Sequence, residues 1–303
     1  CVSGVSGSGK STLVHKCIHD VYRGKSGTSG VELAGFDQVS DVVLMRQGGL
    51  GRSGRSNVAT YTKAWDAIRK LYGSHRDARA AGLGPGDFSF NRAGGRCETC
   101  EGLGTLLIEM HFMADIEVVC ESCEGRRFGE KALGVEYLGK NIFRVLNLTV
   151  AEALVFFEGK RTITDKLAAL AEVGLGYLRL GQTTSTLSGG EAQRLMLAGY
   201  LGGQSAAVGK GVLFVFDEPT VGLHLSDVDV LLAALRRVIQ DGHTVVCVEH
   251  NIDFIARSDH VIDLGPDGGD GGGELVAQGP PHIVAQVAES WTGRFLAEVF
   301  APA

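Results

Sequence analysis

An α/β fold is what this sequence predicts, and three stretches predict it. Gly4-Val5-Ser6-Gly7-Ser8-Gly9-Lys10-Ser11 fits the G-x-x-x-x-G-K-[ST] pattern of a turn that opens a helix. Val212 to Phe216 is an apolar run ending in Asp217-Glu218-Pro219-Thr220, a buried strand that delivers two carboxylates at its C-terminal end. Thr244 to Val248 is a second such run, ending in Glu249-His250.

In the opening turn, glycines let backbone N–H groups face inward around phosphate oxygens at a helix N-terminus. Gly4, Ser6, Gly7, Ser8, Gly9, Lys10, Ser11 and Thr12 are therefore the nucleotide-binding candidates. Lys10 would reach the terminal phosphates of ATP, and the Ser11 hydroxyl would take one position on Mg²⁺. Taken alone, the stretch also reads as a plain Gly/Ser turn. A helix follows from Ser11 to about Tyr22, with Leu13, Val14, Cys17, Ile18 and Val21 at helical spacing, and a Gly/Ser-rich turn ends it.

Val42 to Met45 reads as a short buried strand running into Arg46 and Gln47, where a Gln could sense Mg²⁺ and the γ-phosphate or simply be solvated. A basic Gly/Ser loop carries Arg52 and Arg55, suited to phosphate contacts or to a solvated face. Tyr61, Trp65, Ile68 and Tyr72 follow at helical spacing, a stripe that packs a core more often than it stacks bases.

Cys97-Glu98-Thr99-Cys100 and Cys120-Glu121-Ser122-Cys123 give the spacing C-x₂-C-x₁₉-C-x₂-C. Each C-x₂-C is a knuckle that aims two thiolates at one ion, so Cys97, Cys100, Cys120 and Cys123 are candidate ligands of a structural Zn²⁺. Leu106 to Val119, between the pairs, should form a hairpin. Arg126 and Arg127, directly after, could touch a phosphate backbone or offset acidic neighbours.

From Thr149 to Thr186 the pattern is helical. Ser188 and Glu191 then form a capping box that opens another helix, with Gly189 and Gly190 leaving its first amides bare for an anion. In the Val212 strand, Asp217 would hold Mg²⁺ and Glu218 would polarise the attacking water. His250, at a strand end, could hydrogen-bond a γ-phosphate. Val261 to Leu264 and Glu274 to Gln278 read as strands around a glycine-rich turn, Gly265 to Gly273, which reads as a spacer without chemistry; a short amphipathic helix from Thr292 to Phe300 closes the chain.

Taken together and in this order, these motifs resemble the nucleotide-binding domain of ABC ATPases, with Leu187 to Arg194 as its signature. The resemblance implies a P-loop ABC-type domain carrying an inserted helical and zinc-binding subdomain. The expected parts are 1–47, 48–160 with the zinc module facing DNA, and 161–303. The four-cysteine insert narrows the resemblance to the UvrA family of bacterial nucleotide excision repair. Arg55-Ser56-Asn57, Gly174-Leu175-Gly176-Tyr177, Gly222-Leu223-His224, Glu249-His250-Asn251-Ile252-Asp253 and Asp263-Leu264-Gly265-Pro266 all look like that family's C-terminal half.

The resemblance implies that Lys10, Ser11, Gln47, Asp217, Glu218 and His250 form one half-site. Ser188 to Glu191 would complete the site of an opposing domain, in a homodimer or in a pair with a second nucleotide-binding domain. Damaged duplex DNA is the implied partner, with a UvrB-like protein bound through the family's other half. The sequence departs from the family at Gly48-Gly49, Ser53-Gly54 and Asn57-Val58, where UvrA typically has X-Pro pairs, and at Met196, usually a lysine. Losing prolines raises the entropy cost of ordering that loop. The departures leave room for a UvrA-like paralogue that gives resistance to DNA-binding drugs.

The bulk numbers narrow the alternatives. At 303 residues the chain can bury a core without staples, and its net charge of −6 excludes a global electrostatic footprint for nucleic acid. From Arg46 to Arg79, however, eight basic residues face two acidic ones, leaving that segment at +6 and the remainder at −12. With no apolar run of membrane length and no signal peptide, a soluble cytoplasmic protein is expected. Few residues precede the phosphate loop, so the chain reads as the C-terminal piece of a longer protein. An ATPase motor of a membrane transporter is a further alternative, but it has no use for a four-cysteine insert. A bare zinc interaction domain would leave Glu218 unexplained.

Overall fold

The computed structural model describes residues 1–25, 30–46, 54–110, 115–202 and 211–301, so the expectations for Gln47 and Arg52 lie outside the described residues. The chain forms two compact units. The first comprises Cys1–Gly49, Ser188–Leu197 and Ser205–Ala303; the second comprises Leu50–Leu187 and Ala198–Gln204. Residues 161–187, expected with the second part of the nucleotide core, fall in the second unit.

The first unit is built on a six-stranded sheet in the order Glu274–Gly279, Val261–Gly265, Val2–Gly4, Thr244–Val248, Val212–Asp217, Asp41–Met45. All neighbours pair in parallel except Glu274–Gly279, which runs antiparallel to Val261–Gly265. The Val212–Phe216 run of aliphatic and aromatic residues is buried throughout, as an interior strand of a parallel sheet requires. Register then decides the function. Gly4 pairs with Leu264, Met45 with Phe216, and Asp217 with Val248, so the parallel strands all end at one edge of the sheet. In a sheet of this kind the loops beyond that edge form the binding crevice.

The helix after the phosphate loop, Thr12–Asp20, is wound wider than an α-helix, and the N–H of Val21 reaches back to the carbonyl of Lys16. Its Leu13, Val14 and Ile18 pack on Val2, Val42, Val215 and Val248, which anchors the loop to the sheet core.

In the second unit the expected stripe does not lie on one helix. Lys63 adopts φ 56 and splits it into Val58–Tyr61 and Ala64–Gly73. Trp65 packs 5.5 Å from Phe90 and 6.3 Å from Phe128, and Tyr72 packs 5.5 Å from Phe88, so these rings are core. Thr105–Ile108 and Ile116–Val119 pair antiparallel as the expected hairpin. No described helix is long and apolar enough to cross a membrane.

Candidate nucleotide site and metal centre

The phosphate loop owes its shape to glycine. Gly4, Gly7 and Gly9 take φ of 132°, 80° and 94°, a region L side chains rarely enter, and a Cβ on Gly4 would lie 1.9 Å from the Leu264 carbonyl oxygen. Lys10 folds across the loop and donates from Nζ to the carbonyls of Gly4 at 3.0 Å and Val5 at 2.7 Å. Burial pulls its ammonium below the ordinary value, while the fields of Glu218, Asp263 and Asp217 act the other way. Lys10 thus feels Asp217 and Glu218 at the end of one strand and Asp263 within another. The first amides of the following helix have no helical acceptor. Gly4 to Lys10 thus form a positively biased cradle, with Ser11 and Thr12 exposed at its rim.

Asp217 ends its strand with Oδ2 3.2 Å from His15 Nε2. Burial lowers the His15 pKa, with the Asp217 carboxylate opposing. Glu218 adopts φ 51 and donates its N–H to the Val248 carbonyl at 2.9 Å. Its Oε1 comes within 3.6 Å of His250 Nε2. A non-glycine residue in this backbone region is held against local preference, a feature that concentrates at functional sites. The Glu218–His250 pair is thus brought together by two adjacent parallel strands that end side by side.

Glu249 was not legible as a site residue. It is 2% exposed, and its carboxylate accepts from the backbone N–H of Thr220 at 2.8 Å, His250 at 3.0 Å and Asn251 at 3.2 Å. It therefore ties the turn after Glu218 to the turn carrying His250. The Glu-His word was visible, but a carboxylate that serves backbone amides on another segment leaves no mark in spacing.

Ser188 donates its N–H to Glu191 Oε2 at 2.7 Å and Glu191 donates back to Ser188 Oγ at 3.3 Å, forming the capping box that opens the Gly189–Leu201 helix. Gly189 and Gly190 occupy its first turn. Gln193, fully buried, donates from Nε2 to the Asp217 carbonyl at 2.8 Å, which ties this helix to the strand of the two carboxylates.

The four cysteines of the second unit converge. The Sγ atoms of Cys97, Cys100, Cys120 and Cys123 all lie within 4.8 Å of one another, and all four residues are buried. A tetrahedral Zn²⁺ shell needs S···S separations of about 3.8 Å, given Zn–S near 2.3 Å. The Cys100–Cys123 separation is 3.6 Å, so the donor set fits. The two knuckles share one backbone course: Glu101 and Glu124 both take φ 49°, and Gly102 and Gly125 take 82° and 78°. Burial pushes the Cys100 thiol up, and the Gly104 N–H, donating to its Sγ at 3.2 Å, opposes that rise. Burial pushes the Cys123 thiol up to about 12. At Cys97 burial also pushes up, but N–H donors from Cys100 and Thr99 outweigh it and bring the thiol to about 6.

The basic candidates of this unit have local partners. Arg55 donates to Glu101 Oε2 at 2.9 Å, and Arg126 lies 3.1 Å from Glu124 Oε2. Arg127 places its guanidinium 5.8 Å over the Phe90 ring. Two knuckle glutamates are thus paired with arginines, Glu101 with Arg55 and Glu124 with Arg126.

No family model matches the chain. Among curated proteins it is 48% identical over 301 residues to UvrABC system protein A of Streptococcus pyogenes, spanning 97% of this chain and 32% of that protein. It is 49% identical over 310 residues to the protein of the same name from Methanothermobacter thermautotrophicus, spanning 99% of this chain and 32% of the relative. Among solved structures it matches UvrA2 from Deinococcus radiodurans with a TM-score of 0.89 and 45% identity, over 99% of this chain and 37% of that one. The chain thus spans about a third of the length of the relatives it matches. With an α/β nucleotide core, a four-cysteine cluster and this similarity along nearly its whole length, the chain belongs to the UvrA family.

Proposed function

We propose that the chain is the ATP-binding and ATP-hydrolysing segment, from the C-terminal half, of a UvrA-like protein that recognises DNA damage in nucleotide excision repair. The observation that carries this reading is the convergence of Lys10, Asp217, Glu218 and His250 at one edge of the parallel sheet. Lys10 would release its own loop carbonyls and donate to the terminal phosphates. Ser11 and Asp217 would hold Mg²⁺, which when bound neutralises phosphate charge. Glu218 would accept a proton from the attacking water, and His250 would hold the γ-phosphate oxygens beside it. Gln47 would complete the half-site.

The signature turn, Ser188 to Glu191, would close the nucleotide site of a facing copy or of a second nucleotide-binding domain in the same protein. ATP would then drive dimerisation and DNA engagement, with the zinc module near the duplex. Arg52, Arg55, Arg126 and Arg127 are the proposed backbone contacts, and a UvrB-like protein is the proposed partner of the remaining part. Lys10→Ala is expected to weaken ATP binding by about 10- to 100-fold, the worth of charge-assisted hydrogen bonds, measured by titration with a fluorescent nucleotide.

Competition between lesion-bearing and intact duplex at matched salt tests the damage reading. Preference for the lesion is expected, and equal affinity would contradict it. A second reading, a paralogue acting against DNA-bound drugs, is favoured at Val58. There the family typically has proline, whereas Val58 donates its N–H to the Gln182 carbonyl at 3.1 Å, a bond proline cannot make. Preference for intercalator-loaded over lesion-bearing duplex would select this second reading.

A further inference from the structure

The glycine-rich turn between the last two strands is not a spacer. Val261–Gly265 lies beside Val2–Gly4 in parallel register, Gly4 against Leu264, so the phosphate loop and this turn leave the sheet side by side. Two hydrogen bonds then join them. Gly269 donates its N–H to the Gly7 carbonyl at 3.1 Å, and Gly273 donates to the Ser8 carbonyl at 3.1 Å. A hairpin between adjacent strands needs only about two to five turn residues. Here residues 266–273 are spent, and their N–H groups reach the phosphate loop.

We propose that the Gly265–Gly273 turn is a positioning brace that holds the phosphate loop in its anion-binding shape. The inference rests on the nucleotide-binding reading above. A trans peptide points its C=O and the next N–H in opposite directions. Drawing the Ser8 carbonyl outward to Gly273 therefore turns the Gly9 N–H inward, toward the cradle. The Ser8 N–H is occupied separately, donating to the Val5 carbonyl at 3.2 Å, which closes the loop on itself.

The approach leaves no room for side chains. A Cβ on Gly268 would meet the Ser6 carbonyl oxygen at 2.5 Å, and one on Gly272 would meet Ser8 Cα at 3.1 Å and the Asp267 carbonyl oxygen at 2.6 Å. The strand feeding the brace is itself anchored. Asp263, 2% exposed, accepts from Ser3 Oγ at 2.7 Å and from Thr292 Oγ1 and Ser290 Oγ at 2.6 Å each. Brace, phosphate-loop strand and C-terminal helix thus share one buried carboxylate.

Gly268→Ala tests this cleanly, because Gly268 takes φ −97°, which alanine adopts without strain, so the closest obstacle is the Ser6 carbonyl. Gly242→Ala is the control: φ 90° makes it strained, yet nothing lies within 4 Å of the added methyl. Gly268→Ala is expected to weaken ATP and ADP binding by the same factor, about tenfold, with kcat at saturating ATP kept within about twofold, because a ground-state cradle is lost and not the hydrolytic geometry. Gly242→Ala should lower Tm and leave nucleotide affinity unchanged. Should Gly268→Ala fail to fold, hydrogen exchange on the unaltered chain serves. ADP is expected to slow exchange at Gly269 and Gly273, and unchanged rates there overturn the proposal. Folded Gly268→Ala with native affinity also overturns it. An unaltered chain that binds no nucleotide would instead sink the underlying nucleotide reading.

Discussion

Glu218→Gln lowers kcat for ATP hydrolysis by about 10²- to 10⁴-fold, the range for losing a positioned general base, while ATP affinity is kept. The substitution preserves shape and hydrogen-bond reach but removes the acceptor charge. Glu218 is aimed by backbone: φ 51 sets its direction, the N–H bond to Val248 fixes its height at the sheet edge, and His250 stands 3.6 Å away. Neither backbone feature depends on the carboxylate charge, so the variant should fold normally. Removing a negative charge beside the phosphates should, if anything, tighten ATP. Steady-state turnover and nucleotide titration of the same preparation check this, and an unchanged kcat would refute the assigned role.

Stripping zinc is expected to unfold the segment around residues 97–123 and to spare nucleotide binding. Structural Zn²⁺ contributes on the order of 10–16 kcal/mol in small zinc-dependent modules, and the binding energy there is folding energy. Between the knuckles this chain offers little else: Leu107, Ile108, Ile116 and Val119 are exposed, so the hairpin buries little apolar surface of its own. The four thiols are buried against one another with Leu106 as their partly buried neighbour. Without the cation, burial holds Cys100 and Cys123 protonated, and the cluster loses its organising charge. Every described residue of the proposed nucleotide site, by contrast, falls in the first unit. Chelation followed by metal analysis, proteolysis and ATP titration checks this. A protease-resistant 97–123 segment after complete metal removal would contradict it.

Local spacing explains what was legible. The phosphate loop, the two carboxylates, the capping box at Ser188 and the cysteine knuckles each fit within a few residues, and the strand periods around them survive in the fold. The break at Lys63 was hidden because the apolar stripe continues in phase on both sides of it. Glu249, Gln193 and Asp263 were hidden for another reason. Each side chain serves a partner brought near only by the sheet, such as Asp263 with Ser3, 260 positions apart. The Gly265–Gly273 turn reads as a spacer in sequence for the same reason, since its hydrogen bonds run to the first residues of the chain.

In the facing-copy form of the proposed closure, the signature turn of one chain covers the phosphate site of another around ATP. The molar mass of the Glu218→Gln chain in solution, measured by light scattering with ATP and Mg²⁺ and again with ADP, tests it most directly. A doubled mass is expected with ATP, a single-chain mass with ADP, and no doubling when Ser188→Arg is added. A mass that stays at one chain across saturating ATP, or a dimer indifferent to Ser188, would contradict it.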